Sequence, residues 1–365
     1  MRSIVFSGGG SGGHIYPGLA VAARIKELRV YRIFWIGQET GMDRSIVENE
    51  GIEFYGIPAG KLRRYLSLKT IPDFFRVIAG FFAARRILKR EKPVLLFSKG
   101  GFVSVPPCAA AASLKIPVYT HESDISPGLA TKINARFAAL SGGRIFTAYE
   151  ETSAFFPEAL RSRIIVSGQP VRSSFRRADP QRGKTFLGTA ADERILLVLG
   201  GSQGARELNE LVRENLDALT RYYTVVHQTG PKNQWNLKQG SRYRSHTFIG
   251  KEMPDVLAAA ELVLGRSGAG TVWECAVTGK PMILIPLAGT GTRGDQVENA
   301  RYFEKAGAAL VLYPAGGEAL VSAVGELHDN EAKRSAMAAA SRRIGEKDAA
   351  SLIADSLSRP AEETR

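Results

Sequence analysis

His14 directly follows the run GGGSGG at residues 8–13, and Pro17 and Gly18 close the stretch. Of all side chains, histidine has the ordinary pKa nearest neutrality, which suits it to taking a proton from a hydroxyl. The glycines lack a Cβ, so a ligand can approach the backbone closely, at the expense of conformational entropy. Two further glycine turns, GGSQGA (200–205) and RSGAGT (266–271), each run into a helix-like segment. A turn of this kind offers unpaired N–H groups and the positive end of a helix dipole, which suits a diphosphate. Glu274 follows the RSGAGT turn by about one helical turn, where a carboxylate can accept both hydroxyls of a ribose. The plain alternative for Glu274 is a solvent-facing glutamate that favours the dipole.

Other chemistries are weighed on the same residues. Gly8, Gly10 and Gly13 match G-x-G-x-x-G, so a dinucleotide-dependent dehydrogenase is an alternative. The match arises easily within a glycine run, and the acid expected after the second strand has only Glu39 as a rough candidate. No G-x-x-x-x-G-K-[ST] occurs, which excludes a nucleoside-triphosphatase P-loop. The net charge of +13 calls for an anionic partner. The sequence carries no nucleic-acid-binding motif and no interleaved basic–aromatic platform, so no nucleic acid is expected. The two cysteines, Cys108 and Cys275, lie far apart in apolar surroundings and give neither a disulfide framework nor zinc spacing.

These residues need a scaffold, and the apolar pattern supplies one. SIVFS reads as a buried strand before the first glycine run, with a helix expected from Pro17 through Leu28. RIFWIG, PVLLFSKGG and PVYTHES continue strand–loop–helix alternation, and at residue 195 the pattern restarts with ILLVLGGSQGARELNELV. YTVVHQTG, ELVLGRSGAGTVWEC and KPMILIPLAG follow. Such alternation predicts α/β architecture with parallel sheets, here two Rossmann-like domains in tandem joined near residues 167–175. Ligands in such sheets bind beyond the carboxyl ends of the strands, where every glycine turn falls, so a cleft between the domains is the expected site.

After Met1 and Arg2 the apolar stretch is short, so no signal peptide is expected, and no run of about 18 apolar residues suggests a spanning helix. Residues 66–90 place Ile71, Phe74, Phe75, Ile78, Phe81 and Phe82 at near-helical spacing, with Arg76, Arg85, Arg86, Lys89 and Arg90 nearby. Aromatic anchors beside cations suit an anionic membrane surface, the alternative being a core helix with a solvated basic side.

In order and spacing, GGGSGGHIYPGLA, SKGGFVSVPPCAAA, HESDISPGLATKIN, GQPVR, LVLGGSQGARELN, RSGAGTVWE and DQVENARYFEKAGAA resemble the MurG family over nearly the whole chain. MurG enzymes are the N-acetylglucosaminyltransferases of peptidoglycan synthesis. The resemblance implies a GT-B fold, with two Rossmann-like domains whose parallel sheets face across a deep cleft. On that pattern residues 1–168 form the acceptor and membrane-facing domain, 169–344 the UDP-GlcNAc-binding domain, and 345–365 a helix packing back on the first. It implies inverting transfer of GlcNAc from UDP-GlcNAc to the C4 hydroxyl of MurNAc in lipid I, giving lipid II, at the cytoplasmic face of the bacterial membrane. No cofactor and no metal are implied.

Carried over residue by residue, the resemblance places Ser202 at the donor diphosphate and Ala269, Gly270, Thr271, Val272, Trp273 and Glu274 around ribose and phosphate. It places the Ile249 backbone at the uracil edge, Arg172 in the donor site and Gln296 at the sugar hydroxyls. Ser11, Gly12, Gly13 and His14 fall near the transferred sugar and the acceptor pyrophosphate. Where many relatives have asparagine, this chain has Asp124, which keeps acceptor capacity, loses the amide donor and can instead help deprotonate the acceptor. Glu122 and Asp124 are thus rivals to His14 as the base. Another GT-B nucleotide-sugar transferase is the nearest alternative, and the acceptor-side motifs argue against it.

Overall fold

The computed structural model describes residues 1–41, 43–60, 70–231, 242–289 and 294–358, with backbone alone at 70–72. The chain forms two compact units, Met1–Arg172 with Asp348–Arg365, and Ser173–Lys347. The first holds a seven-stranded sheet made of β1 (Arg2–Ser7), β2 (Tyr31–Gln38), β3 (Glu53–Ile57), β4 (Leu95–Ser98), β5 (Val118–Glu122), β6 (Ile145–Thr147) and β7 (Ile164–Val166), in the order β3-β2-β1-β4-β5-β6-β7. The second holds β8 (Ile195–Leu199), β9 (Thr224–Gln228), β10 (Tyr243–His246), β11 (Leu262–Gly265), β12 (Met282–Leu284) and β13 (Ala309–Val311), in the order β10-β9-β8-β11-β12-β13. Every pairing is parallel, as strand–helix alternation requires.

The strands are buried on both faces, which explains their continuous apolar runs: ILLVL of β8 and LVLG of β11 have no exposed residue. In each sheet the order reverses direction beside the first strand, at β1/β4 and β8/β11, which opens a crevice at the carboxyl ends. The glycine runs leave β1, β8 and β11 at those ends.

Two expectations are corrected. The first helix begins at Gly12, not Pro17, and runs to Glu27 with Ser11 as its N-cap. The His14 N–H bonds the Ser11 carbonyl at 3.1 Å and closes the first turn ahead of the proline. Pro17, inside the helix, lacks the N–H that would otherwise reach the carbonyl four residues back, at Gly13. The second correction concerns helix Thr70–Glu91. Phe74, Phe75 and Phe82 are 59%, 65% and 63% exposed, whereas Phe81 packs partly buried against the sheet core. The helix is seated by Gly80, where a Cβ would lie 2.3 Å from the Pro58 carbonyl oxygen, and that close approach fixes which face points outward. Residues 66–69 of the aromatic stretch and the Ile71 side chain lie outside the described residues. Among the described residues no helix is long and apolar enough to cross a membrane.

Candidate active site

In the first unit the glycine run is held from beneath by an acid far away in sequence. Asp43 is buried and accepts the Gly10 N–H with both carboxylate oxygens, at 3.0 and 3.2 Å. A Cβ on residue 9 would lie 1.9 Å from Asp43 Oδ2, so only glycine lets the carboxylate reach the loop. Burial raises the Asp43 pKa, opposed by the Gly10 and Gln38 amides. Asp43, not the exposed Glu39, is therefore the acid at the end of β2 that meets the glycine run, and it consumes a loop N–H. A dinucleotide fingerprint needs instead an acid free to receive a ribose hydroxyl.

His14 lies in the first turn of helix Gly12–Glu27, which has no acidic residue in that turn and no side-chain cap. Its ring rests on the backbone of the Lys99-Gly100-Gly101 turn after β4: a Cβ on Gly101, which is at φ +78°, would approach His14 Cδ2 to 3.0 Å. The ring and the uncapped N–H groups of Gly12 and Gly13 thus share one helix end, a place suited to an anionic ligand and a proton acceptor together. Ser11 and Gly13 are exposed there and Gly12 half-buried. Arg172, the last residue of the main segment of this unit, sets its guanidinium carbon 5.1 Å from the centre of the Tyr16 ring on the same helix.

Glu122, at the end of β5, is buried and uses both oxygens on the turn that follows. Oε1 accepts from the Ser123 N–H at 2.8 Å and the Asp124 N–H at 3.1 Å, and Oε2 from the Gly128 N–H at 3.0 Å. This geometry makes Glu122 an organiser of the HESDISPG turn. Asp124 is half-buried. Lys99, 2% exposed, donates to Ser123 Oγ, and its charge interacts with Glu122 and Asp124. Burial lowers its pKa to about 8 against the pull of those two carboxylates. Its Cβ lies 3.2 Å from where a Cβ on Gly8 would sit, so the stem of Lys99 packs on the glycine run while its ammonium reaches the HESD turn.

In the second unit, helix Ala269–Thr278 starts at Gly268 with no side-chain cap and no acid in its first turn, leaving its N–H groups for a ligand. The turn before it is fixed by neighbours. Ser267 Oγ donates to the Gln296 carbonyl at 2.7 Å, and Asn299 Nδ2 donates to the Ser267 carbonyl at 3.3 Å. Arg266 Nη1 donates to the Ile285 and Pro286 carbonyls at 3.2 and 3.3 Å, and Nη2 to Glu207 at 2.6 Å. Gln296 Oε1 accepts the Leu287 N–H at 3.0 Å, which turns its amide nitrogen into the donor it has left to offer. Val272 and Trp273 bury their side chains, Trp273 edge-on to Phe303, so any ligand contact from them is through backbone. Glu274, half-buried, stands one turn in, and Ala269, Gly270 and Thr271 are partly open.

Ser202 is exposed in the turn between β8 and helix Arg206–Glu214. Ile249 is buried, and its N–H donates to Gln228 Oε1 at 2.8 Å. The structure thus gathers Ser11–His14 with Lys99, Glu122 and Asp124 in one unit. In the other it gathers Ser202 with Ile249 through Gln228, and residues 269–274 with Gln296 through Ser267. Sequence reasoning missed Asp43, Lys99 and Gln228. Lys99 directly precedes a glycine in SKGG and Gln228 stands two residues before one in HQTG, each at a strand end, and that proximity was the available signal.

Two parallel-sheet units with glycine turns at their carboxyl ends make up the GT-B fold, and solved structures share it. MurG of Acinetobacter baumannii superposes with a TM-score of 0.71 at 23% identity, covering 97% of this chain and 98% of that one. The kitacinnamycin glycosyltransferase superposes at 0.71 and 18% identity, covering 98% of each chain. The glycosyltransferase family 28 N-terminal domain matches residues 4–140, and the family's C-terminal domain matches residues 195–353. The UDP-N-acetylglucosamine--N-acetylmuramyl-(pentapeptide) pyrophosphoryl-undecaprenol N-acetylglucosamine transferase of Treponema pallidum (strain Nichols) is 48% identical, over 98% of this chain and 95% of its own. That of Treponema denticola is 49% identical, over 86% of this chain and 84% of its own. The chain belongs to the MurG family of UDP-GlcNAc-dependent N-acetylglucosaminyltransferases.

Proposed function

We propose that this enzyme transfers GlcNAc from UDP-GlcNAc to the C4 hydroxyl of MurNAc in lipid I, with inversion, and releases lipid II and UDP. The observation that carries this reading is the 48% identity to the Treponema pallidum transferase over 98% of the chain. The second unit takes the donor. The uncapped start of helix Ala269–Thr278 and the turn at Ser202 receive the diphosphate, Glu274 the ribose hydroxyls, and Gln296 the sugar. The Ile249 backbone reads the base.

The first unit handles the acceptor and the proton. His14 removes the proton from the MurNAc hydroxyl as it attacks the anomeric carbon. The helix end at Gly12 and Gly13 favours the acceptor pyrophosphate. Glu122 holds the turn that carries Asp124, and Asp124 orients the acceptor. Arg172 contributes a cation for a phosphate.

The exposed Phe74, Phe75 and Phe82, with Arg86 and Lys89 exposed on the same helix, support peripheral attachment of this unit to an anionic membrane surface. The lipid-linked acceptor resides there, and the cytoplasmic face is where the nucleotide sugar is available. A transfer assay with labelled UDP-GlcNAc and a lipid I analogue tests the reading. Label moving into the lipid fraction supports it, and no transfer from UDP-GlcNAc while another nucleotide sugar is used would overturn it.

A further inference from the structure

Lys99 follows the last residue of β4, and its N–H bonds the Ser7 carbonyl at the end of β1 at 2.8 Å. Among the described residues of the first unit it is the only buried lysine or arginine. Its ammonium donates to Ser123 Oγ, and Ser123 stands between the two acids of the HESD turn, Glu122 and Asp124. That turn is fixed: three backbone N–H groups occupy the Glu122 oxygens, and the Asp124 carbonyl accepts from Thr152 Oγ1 at 3.3 Å. The titratable groups around Lys99 come from three elements. His121, Glu122 and Asp124 belong to β5 and its turn. His14 comes from helix Gly12–Glu27, its ring against Gly100 and Gly101. Asp43 comes from the connection after β2 and meets the glycine run at Gly9 and Gly10, beside the Gly8 contact of the Lys99 stem. Burial first, and then the Lys99 charge, holds buried His121 well below the usual histidine range. Lys99 is therefore the buried positive charge set against the Glu122 and Asp124 carboxylates, at the carboxyl ends of β4 and β5.

We infer that Lys99 balances the charge of the acceptor site: its buried ammonium offsets Glu122 and Asp124, so that a turn bearing two carboxylates can lie beside an anionic diphosphate. The inference rests on the reading that this unit takes the acceptor pyrophosphate. Without the cation the two acids would repel that group, and a buried charge is screened by salt much less than a surface one. Lys99 need not touch the acceptor, since it acts through its field. The acceptor carries its charge before and during transfer alike, so the field lowers the acceptor KM and leaves kcat unchanged. Burial lowers the Lys99 pKa to about 8, against the pull of Glu122 and Asp124, so the charge is lost as pH rises through that value. The neutral amine still has N–H groups for Ser123 Oγ, so the turn keeps its support when the field goes.

The experiment is steady-state kinetics of the full chain at saturating UDP-GlcNAc, from pH 7 to pH 9, for the wild type and Lys99→Met. Two acceptors are compared, a lipid I analogue with its diphosphate and a counterpart with an uncharged linker in its place. On the diphosphate acceptor at pH 7, Lys99→Met has a KM about tenfold higher, the order expected of one buried charge, with kcat within about threefold. The ratio of wild-type to variant kcat/KM then falls to about twofold at pH 9, as the free wild-type enzyme loses the proton. Lys280, whose pKa burial also lowers to about 8, lies in the second unit and is common to both proteins, so the ratio is free of it. On the uncharged acceptor the two proteins agree within about twofold at every pH. Deprotonating a buried lysine stabilises the fold, so loosening of the turn cannot produce the fall. An unchanged acceptor KM in Lys99→Met, a ratio that does not move with pH, or an equal loss on both acceptors would overturn the inference. If Lys99→Met does not fold, the wild type decides alone: its preference for the diphosphate acceptor falls about fivefold between pH 7 and pH 9, and a constant preference overturns the inference. A wild type that uses both acceptors equally well at pH 7 would instead remove the reading of the acceptor pyrophosphate, and the inference with it.

Discussion

The carboxylate of Asp43 takes the N–H of Gly10 between its two oxygens, at 3.0 and 3.2 Å, and so shapes the loop that leads into His14. An acid on the neighbouring connection thus sets the backbone of the glycine run. Removing it takes the carboxylate acceptor from a part-buried N–H, a loss of about 1–3 kcal/mol. Asp43→Ala is expected to lower kcat at least about tenfold through misplacement of the loop, while UDP affinity, on the proposed reading that the second unit takes the donor, stays within about twofold. Steady-state kinetics with calorimetry checks this. A fall in UDP affinity matching the fall in kcat would show that the loop does not act on the acceptor side alone.

Proton removal by His14 predicts a loss of about 10²–10⁴-fold in kcat for His14→Ala, with UDP binding nearly intact. The acidic limb of the pH–rate profile should disappear with it. Glu122→Gln is expected to act through stability instead. An amide nitrogen in place of one carboxylate oxygen faces a backbone N–H, so thermal unfolding should report a loss of about 1–3 kcal/mol. Near-normal kcat in His14→Ala together with abolished turnover in Asp124→Ala would move proton removal to Asp124.

Lys99 carries a pH dependence whose sign follows from burial. Its pKa falls from 10.5 to about 8, first through burial, with Glu122 and Asp124 pulling the other way. Between those two values the unfolded chain holds a proton that the folded chain has released, so stability rises with pH through that window. Below it, keeping the ammonium buried opposes folding by roughly 3 kcal/mol. Urea unfolding of wild type and Lys99→Met should therefore diverge, the wild type gaining about 2–3 kcal/mol relative to the variant from about pH 7 to about pH 10. A difference that stays constant across this range would contradict the depressed pKa.

The aromatic face of helix Thr70–Glu91 should hold the enzyme on anionic vesicles. Sedimentation with phosphatidylglycerol vesicles is expected to show binding that weakens with salt. Phe75→Ser with Phe82→Ser should reduce it at least about tenfold, since each ring contributes on the order of 1.5–3 kcal/mol of buried area. These two rings are exposed and absent from the core, so the fold should persist. Undiminished vesicle binding by the double variant would place the attachment elsewhere.

The strands and glycine turns were legible because burial on both faces leaves unbroken apolar runs such as ILLVL, and because glycine marks the ends. The start of the first helix was misread because Pro17 is a strong local signal, whereas a backbone bond from His14 to Ser11 leaves no mark in the sequence. Phe81 and Phe82 are indistinguishable by residue type, and only the position of the sheet core decides that Phe81 turns inward. Asp43 lies 33 residues from Gly10 and Gln228 lies 21 from Ile249, so each contact exists only once strand order and register are set. Glu122 was legible as a carboxylate near the chemistry, and its three backbone partners were not, because they depend on the path of the turn to Gly128.

The linkage in the product tests the central claim most directly. UDP-GlcNAc is an α-glycoside, so a single inverting displacement at its anomeric carbon gives a β-glycoside. Proton NMR of the disaccharide made from a lipid I analogue should show the large diaxial H1–H2 coupling of β-GlcNAc on the MurNAc C4 oxygen. A small coupling from an α-linkage, attachment at another hydroxyl, or release of free GlcNAc without a disaccharide would contradict the account.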